Sequence, residues 1–247
     1  MPDRIRLIHD GPHDGPTNMA RDEALLKCVG AGQSPPTLRL YRWAPPTISL
    51  GYFQPYAAYE ALEPPAGRLP VVRRQTGGGA ILHDQELTYA IVLPIGHRLA
   101  HGATKLYEVA HDAVIHALAD AGMATWRGCR SDDSTPGRGP FFCFARRHCL
   151  DVLAGKEKLA GSAQRRTRRA VLQHGSIVFE RRYDQQPAAA IGEYVNLDGD
   201  RFAELWTRSL EAIGDLLFEP GACTPEELGR ADTLRAKYAD PAWTRRR

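Results

Sequence analysis

The chain has 247 residues, of which 43% are hydrophobic and 25% charged, with a formal net charge of +3. This is the composition of a globular protein with a core large enough for an enzyme. Met1 to Pro16 carries charges, His and Pro but no apolar segment, so no signal peptide or membrane anchor is expected, and no later run approaches membrane-spanning length. A cytoplasmic setting follows, in which the five cysteines, odd in number and irregularly spaced, are read as free thiols.

In chain order, Asn18 to Val29 is a predicted helix, capped by Thr17 or Asn18, with Leu25, Leu26 and Val29 on one face and Gly30 as its stop. Thr37 to Trp43 and Thr47 to Leu50 read as strands joined at Ala44-Pro45-Pro46, followed by a short helix from Pro55 through Leu62. Pro64-Pro65-Ala66-Gly67 breaks the chain before a strand at Leu69 to Val72. A glycine loop then leads into strand-like Ala80-Ile81-Leu82 and Leu87 to Val92. Thr104 to Ala121 has the clearest helical spacing, with Leu106, Val109, Ala113, Val114, Ala117 and Leu118 on one face and Gly122 as the stop. Arg127 to Pro140 is a polar surface loop. Strands follow at Leu150 to Leu153, Lys158 to Gln164 and Ala170 to Phe179, then a helix from Phe202 to Leu217. Thr224-Pro225-Glu226-Glu227 opens a last helix with a capping box. No repeat or linker divides the chain, so a single α+β domain is expected over 1–247, with a motif-bearing core at about 18–220 and a short helical tail at 221–247.

Two clusters carry chemistry. In Arg73-Arg74-Gln75-Thr76-Gly77-Gly78-Gly79, three residues without a Cβ let backbone amides approach a carbonyl oxygen or a phosphate. The run matches neither the P-loop nor the dinucleotide fingerprint, and a Gly-rich hairpin loop explains it equally well. The second cluster is Phe142-Cys143-Phe144, Lys158-Leu159-Ala160-Gly161-Ser162-Ala163-Gln164 and Leu172-Gln173-His174-Gly175-Ser176. Cys143 is either a small buried hydrophobe or a nucleophile, and a nearby cation, for which Lys158 is the candidate, would favour the second by lowering a thiol pKa from about 8.5. His174 is either a structural hydrogen-bonder or a catalytic group. A metal site from Cys129, Cys143, His148 and Cys149 lacks zinc-knuckle spacing, and no metal is expected. The basic runs at Arg146-Arg147, Arg165-Arg166, Arg168-Arg169, Arg181-Arg182 and Arg245 to Arg247 are solvated turns or a docking face for an acidic partner; no nucleic-acid motif accompanies them.

Together, Arg73-Arg74-x-Thr76-Gly77-Gly78-Gly79-Ala80-x-x-His83-Asp84, Lys158-x-x-Gly161-Ser162-Ala163-Gln164 and His174-Gly175-Ser176 resemble the biotin/lipoate protein ligase and octanoyltransferase superfamily. Asn18-Met19-Ala20-x-Asp22-Glu23-Ala24-Leu25-Leu26 is similar to its opening helix. The resemblance implies a mixed, largely antiparallel sheet flanked by helices. It also implies an acyl-chain site lined by Arg74, Thr76, Gly77, Gly78, Gly79, His83, Tyr89, Gly161, Ser162, Ala163, Gln164 and His174. Glu86-Leu87-Thr88-Tyr89 and Cys143-Phe144 are similar to the cysteine-dependent octanoyltransferases. Ala145-Arg146-Arg147-His148-Cys149 departs from their usual small turn and leaves Cys149 as a rival nucleophile.

The resemblance implies transfer of octanoate from acyl carrier protein, through a Cys143 thioester, to a lysine of a lipoyl domain or the glycine-cleavage H protein, without cofactor. The alternatives are an ATP-dependent lipoate ligase working through an acyl adenylate, with ATP and Mg, or an inactive carrier-binding homologue. Thioester exchange needs only a thiolate. Aminolysis needs a neutral lysine, which at pH 7 costs about 4.6 kcal/mol, so a base is required. Lys158 is expected to serve, its pKa brought toward neutrality by desolvation.

Overall fold

The computed structural model describes residues 1–128 and 139–247. Its first half runs β1 (Asp3–His13), α1 (Gly15–Gly30), β2 (Thr37–Trp43), β3 (Thr47–Leu50), α2 (Ala57–Glu60), β4 (Val71–Arg73), β5 (Ile81–His83), β6 (Glu86–Pro94) and α3 (Lys105–Asp120). The second half runs β7 (Trp126–Arg127), β8 (Val152–Ala154), β9 (Glu157–Arg166), β10 (Ala170–Val178), α4 (Gly199–Gly214), β11 (Leu216–Pro220), α5 (Pro225–Ala239) and α6 (Pro241–Thr244). An eight-stranded sheet has the order β11-β1-β2-β6-β10-β9-β8-β7, and a three-stranded sheet the order β4-β3-β5. In the large sheet β1 is parallel to both neighbours and every other pairing is antiparallel, giving the expected mixed α+β architecture.

Alternation along the strands gives the large sheet two buried faces. Leu38, Leu40, Leu87, Tyr89 and Ile91 pack under α3 and α4. Tyr41, Trp43, Ala90, Val92 and Leu172 meet Met19, Leu25, Leu26 and Val29 of α1 on the other side. After Trp43 the prolines of Ala44-Pro45-Pro46 offer no ladder N–H, and the chain leaves the large sheet to begin the small one. The small sheet stands beside α1, and the candidate site lies between it and the large sheet.

Several element limits differ from those expected. Helix α1 starts earlier, at Gly15, because Asp14 is the cap: its carboxylate accepts from the Thr17 amide at 2.8 Å, with Pro16 in the first turn. β1 was not expected at all. Its arginines and histidines mask the buried Ile5 and Ile8, which fix it beside β2. Helix α4 stops at Gly214, and Asp215 turns left-handed (φ 47°), which releases Leu216 and Leu217 into β11 rather than a last helical turn. The capping box at Thr224 and Glu227 forms as read, and α5 packs along α1, with Lys237 and Tyr238 each 2.6 Å from Glu23. Most of the polar loop read at Arg127 to Pro140, with Cys129, lies outside the described residues. Among the described residues no helix is long and apolar enough to cross a membrane.

Candidate active site

The glycine loop leaves β4 at Arg73 and returns into β5. Arg74 holds its shape from inside. Buried, it donates from Nε to Thr76 Oγ1 (3.1 Å), from Nη1 to Ser49 O (2.9 Å) and Oγ (3.2 Å), and from Nη2 to Gly77 O and Gly79 O (both 2.7 Å). All five donors are used on the loop and its neighbour β3, so Arg74 is an anchor with none left over for a substrate. Burial pulls its pKa down to about 10. Gly78 takes φ +94°, which favours glycine, and a Cβ on Gly79 would fall 3.0 Å from Cys143 N and 3.1 Å from its Cα. The loop therefore lies against the cysteine backbone. Cys143 N donates to Ala80 O at 2.7 Å, and Ala80 N to Phe141 O at 3.0 Å.

Cys143 opens a short 3-10 turn and is half-buried. Lys158, near the start of β9, places Nζ 3.5 Å from its sulfur and 2.9 Å from Asp151 Oδ1, with Phe144 beneath. Gly161 makes room for this lysine: a Cβ there would lie 2.2 Å from Lys158 Cε and 2.5 Å from Nζ. Lys158 does not move toward neutrality as its burial alone predicts. Burial does push its pKa down, but the Cys143 sulfur and the Asp151 carboxylate more than offset that and hold it above the ordinary lysine value. Asp151 had no signal in the sequence, since it stands alone between Leu150 and Val152 and meets Lys158 only across the β8–β9 turn.

On the α1 face a narrow, largely apolar slot is walled by Met19, Tyr41, Trp43, Ile81, Ala163 and Gly175. Its polar edge is a closed hydrogen-bond network. His174 donates from Nδ1 to Asp22 (2.9 Å), and its Nε2 lies 2.7 Å from Thr76 Oγ1; Asp22 also receives Arg39 (2.8 Å) and the Tyr41 hydroxyl (2.9 Å). His83 donates to Glu86 at 2.6 Å, lies 2.8 Å from Ser49 Oγ and stacks on Trp43 at 3.8 Å; burial holds its pKa below the ordinary value. Glu86 further accepts from Thr88 and Ser176. Asp22 was legible in principle, because a carboxylate three residues from both Met19 and Leu25 falls on the apolar stripe of α1.

Three residues expected at the acyl site are on the other face of the large sheet. Tyr89 packs on Trp206 of α4, Ser162 Oγ lies 2.8 Å from His111 Nε2, and Gln164 donates to Gln173 at 2.8 Å. Strand alternation is the reason: Gly161, Ala163, His174 and Ser176 share the α1 side, which turns Tyr89, Ser162 and Gln164 away. The rival Cys149 is exposed, with His148 Nδ1 at 3.9 Å as its polar neighbour. Cys28, Cys143, Cys149 and Cys223 are free thiols, and among the described residues no three His, Cys, Asp or Glu side chains gather to hold a metal ion.

Fold and site together define a mixed α+β domain in which a glycine loop lies against a cysteine with a lysine 3.5 Å from its sulfur. The lipoyl protein ligase A/B catalytic domain family matches residues 14–208, and the chain belongs to it. Among its relatives are proteins named octanoyltransferase LipM. That of Moorella thermoacetica is 36% identical, and that of Kyrpidia tusciae 34%, each alignment covering 98% of both chains. Among solved structures, a lipoate-protein ligase A bound with ATP superposes with a TM-score of 0.79 at 23% identity over 99% of each chain. A bipartite lipoate protein ligase from Thermoplasma acidophilum, described with its E2 lipoyl domain, gives 0.72 at 21% identity over 99% of this chain and 96% of its own. At these identities the structures speak for the fold.

Proposed function

We propose that this chain is an octanoyltransferase of protein lipoylation in which Cys143 carries the acyl group between donor and acceptor. The observation that carries the proposal is the approach of Lys158 Nζ to Cys143 Sγ, 3.5 Å, beside the glycine loop. The full-length likeness to octanoyltransferases named LipM supports it. The donor is an octanoyl acyl carrier protein, the acceptor a lysine of a lipoyl domain or glycine-cleavage H protein, the setting cytoplasmic, and no cofactor takes part.

In the first half-reaction the Cys143 thiolate attacks the donor thioester carbonyl. The amides of Gly78 and Gly79, which donate no backbone bond among the described residues, are available to the oxyanion. Collapse expels the carrier thiolate, which takes a proton from the Lys158 ammonium and leaves a neutral amine. With Cys143 now an uncharged thioester, one of the two influences that held the ammonium has gone. In the second half-reaction the acceptor amine attacks the thioester, Lys158 takes its proton, and the Cys143 thiolate departs. The two protonation states required of Lys158 thus alternate within one turnover. The acyl tail occupies the slot bordered by Met19, Tyr41 and Trp43.

Incubation with octanoyl carrier protein and apo lipoyl domain, without nucleotide, tests this by intact mass. Octanoyl adduct on the wild type, transfer to the domain, and loss of both in Cys143→Ser are expected. Transfer that requires ATP and survives Cys143→Ser would establish the ligase reading instead.

For carrier docking we propose the exposed Arg165, Arg168 and Arg169 at the β9–β10 turn, which share a groove with Lys27 and Arg230. Arg166 leaves the set that the sequence suggested, since its guanidinium is tied to Ala100 O and Gln164. Charge reversal of the three should weaken association with an acidic carrier and flatten its salt dependence; an unchanged slope would reject the face.

A further inference from the structure

Lys158 has two polar partners among the described residues, and the octanoyl-transfer proposal uses only one. The other, Asp151, is buried with 5% exposure. Its Oδ1 lies 2.9 Å from Lys158 Nζ, and its Oδ2 accepts from the His148 amide at 2.8 Å. The backbone around it is fixed as well: Asp151 N donates to His148 O (2.9 Å), Gly128 N donates to Asp151 O (2.8 Å), and His111 on α3 donates from Nδ1 to the neighbouring Leu150 carbonyl. A Cβ on Gly161 would intrude on this carboxylate too, 3.1 Å from Oδ1, so carboxylate, ammonium and bare glycine are packed as one unit.

We propose that Asp151 is a positioning residue for the transfer: its carboxylate aims the Lys158 ammonium at Cys143 and sets how readily that ammonium releases its proton. The proposal rests on the reading of Cys143 as acyl carrier. Asp151 is anchored through its second oxygen, so the ammonium is drawn to a fixed point rather than following a mobile partner. It also takes no part in bond making or breaking, whereas the sulfur is converted to a thioester on acylation. Between the halves, then, the sulfur changes and Asp151 is the constant. It keeps Lys158 from becoming a permanently neutral amine once the thioester has formed.

The other titratable groups around the pair are few. His111 is held neutral by burial, its pKa pushed down to about 4, and Tyr107 is pushed up to about 12. Arg127 acts on His111 from β7, and Arg74, on the glycine loop, interacts with the Cys143 sulfur and with Arg146. None of these supplies a second anion to the ammonium.

The test is the pH profile of single-turnover acylation by octanoyl carrier protein, followed as intact mass, in wild type, Asp151→Asn and Asp151→Ala. Loss of the ammonium proton governs the alkaline limb. Removing an anion beside a cation eases that loss, so in Asp151→Asn the limb should move to lower pH by about one unit. Formate added to Asp151→Ala should raise the rate and return the limb toward its wild-type position. A folded Asp151→Asn whose limb does not move, or an Asp151→Ala in which formate changes nothing, overturns the proposal, because a merely structural residue lowers amplitude without shifting the limb. If wild-type enzyme forms no Cys143 adduct, the underlying reading fails and takes this one with it; an adduct with an unmoved limb sinks the role of Asp151 alone.

Discussion

Substituting alanine for Gly161 tests the position of the Lys158 ammonium with a single added atom. The new Cβ would meet Lys158 Cε and Nζ at 2.2 and 2.5 Å and Asp151 Oδ1 at 3.1 Å, so the buried ammonium and carboxylate would be forced apart, at a cost of roughly 1 to 3 kcal/mol of folding free energy. The ammonium would also be driven from the sulfur, and a displacement of about 1 Å in a reacting group costs up to roughly 100-fold. Gly161→Ala should therefore lower the denaturant midpoint, and in the protein that remains folded acyl-adduct formation should fall by about 10- to 100-fold; an adduct rate equal to wild type in the folded variant would mean that the ammonium position is unimportant. At this scale the sequence was informative where residue type and spacing both mattered. Of the two readings the glycine run allowed, close approach is what the structure shows at Gly79, which lies against Cys143, and Gly161 likewise makes room for the lysine three residues before it. Asp151 was invisible because its contact depends on where β8 turns into β9, and Tyr89, Ser162 and Gln164 were misplaced because motif membership does not say which face a strand side chain takes.

The glycine loop behaves as an element even though it contains no regular structure, since one guanidinium ties together Ser49, Thr76, Gly77 and Gly79. A lysine has three donors and no planar fork, so Arg74→Lys leaves at least two of these acceptors short in a buried place. The expected loss is roughly 2 to 3 kcal/mol in chemical denaturation, together with slower acylation as the loop loosens against Cys143. An Arg74→Lys protein with wild-type midpoint and rate would contradict the anchoring role. Elements were legible wherever punctuation was strong. Thr37 to Trp43 and Thr47 to Leu50 are bounded by proline and glycine, and α3 ends at Gly122 with φ +83°. β1 and β11 escaped because their pairing is parallel and distant in sequence, joining Asp3 to Leu216, and no local pattern announces such a partner.

For the molecule as a whole, pH reports on buried groups from both sides of the large sheet. Burial holds the pKa values of His83, His97 and His111 below the ordinary histidine value, that of His111 at about 4. A histidine depressed in the folded state contributes stability that is complete above pH 6.5, where folded and unfolded forms are both neutral. That stability is lost as pH falls, because the unfolded chain binds the proton first. For His111 the window runs from 6.5 down to about 4 and amounts to about 3 kcal/mol. Glu23 and Glu227 also have lowered pKa values: burial opposes the shift, but the bonds from Lys237 and Tyr238 to the first, and from Arg6 and Ser34 to the second, prevail. Their contribution is present above about pH 4.5 and disappears as pH falls through their depressed values, loosening α5 from α1 and β1. Acid unfolding should therefore proceed in two stages, histidine first and carboxylate second. His111→Asn isolates the first stage, since an asparagine amide can donate to the Leu150 carbonyl as Nδ1 does but cannot titrate. Denaturant midpoints measured from pH 7 to 3 should show its slope reduced by about one proton between 6.5 and 4, with the steeper loss below 4.5 unchanged. Identical slopes in the upper window would mean that His111 is already protonated in the folded protein, which its burial opposes.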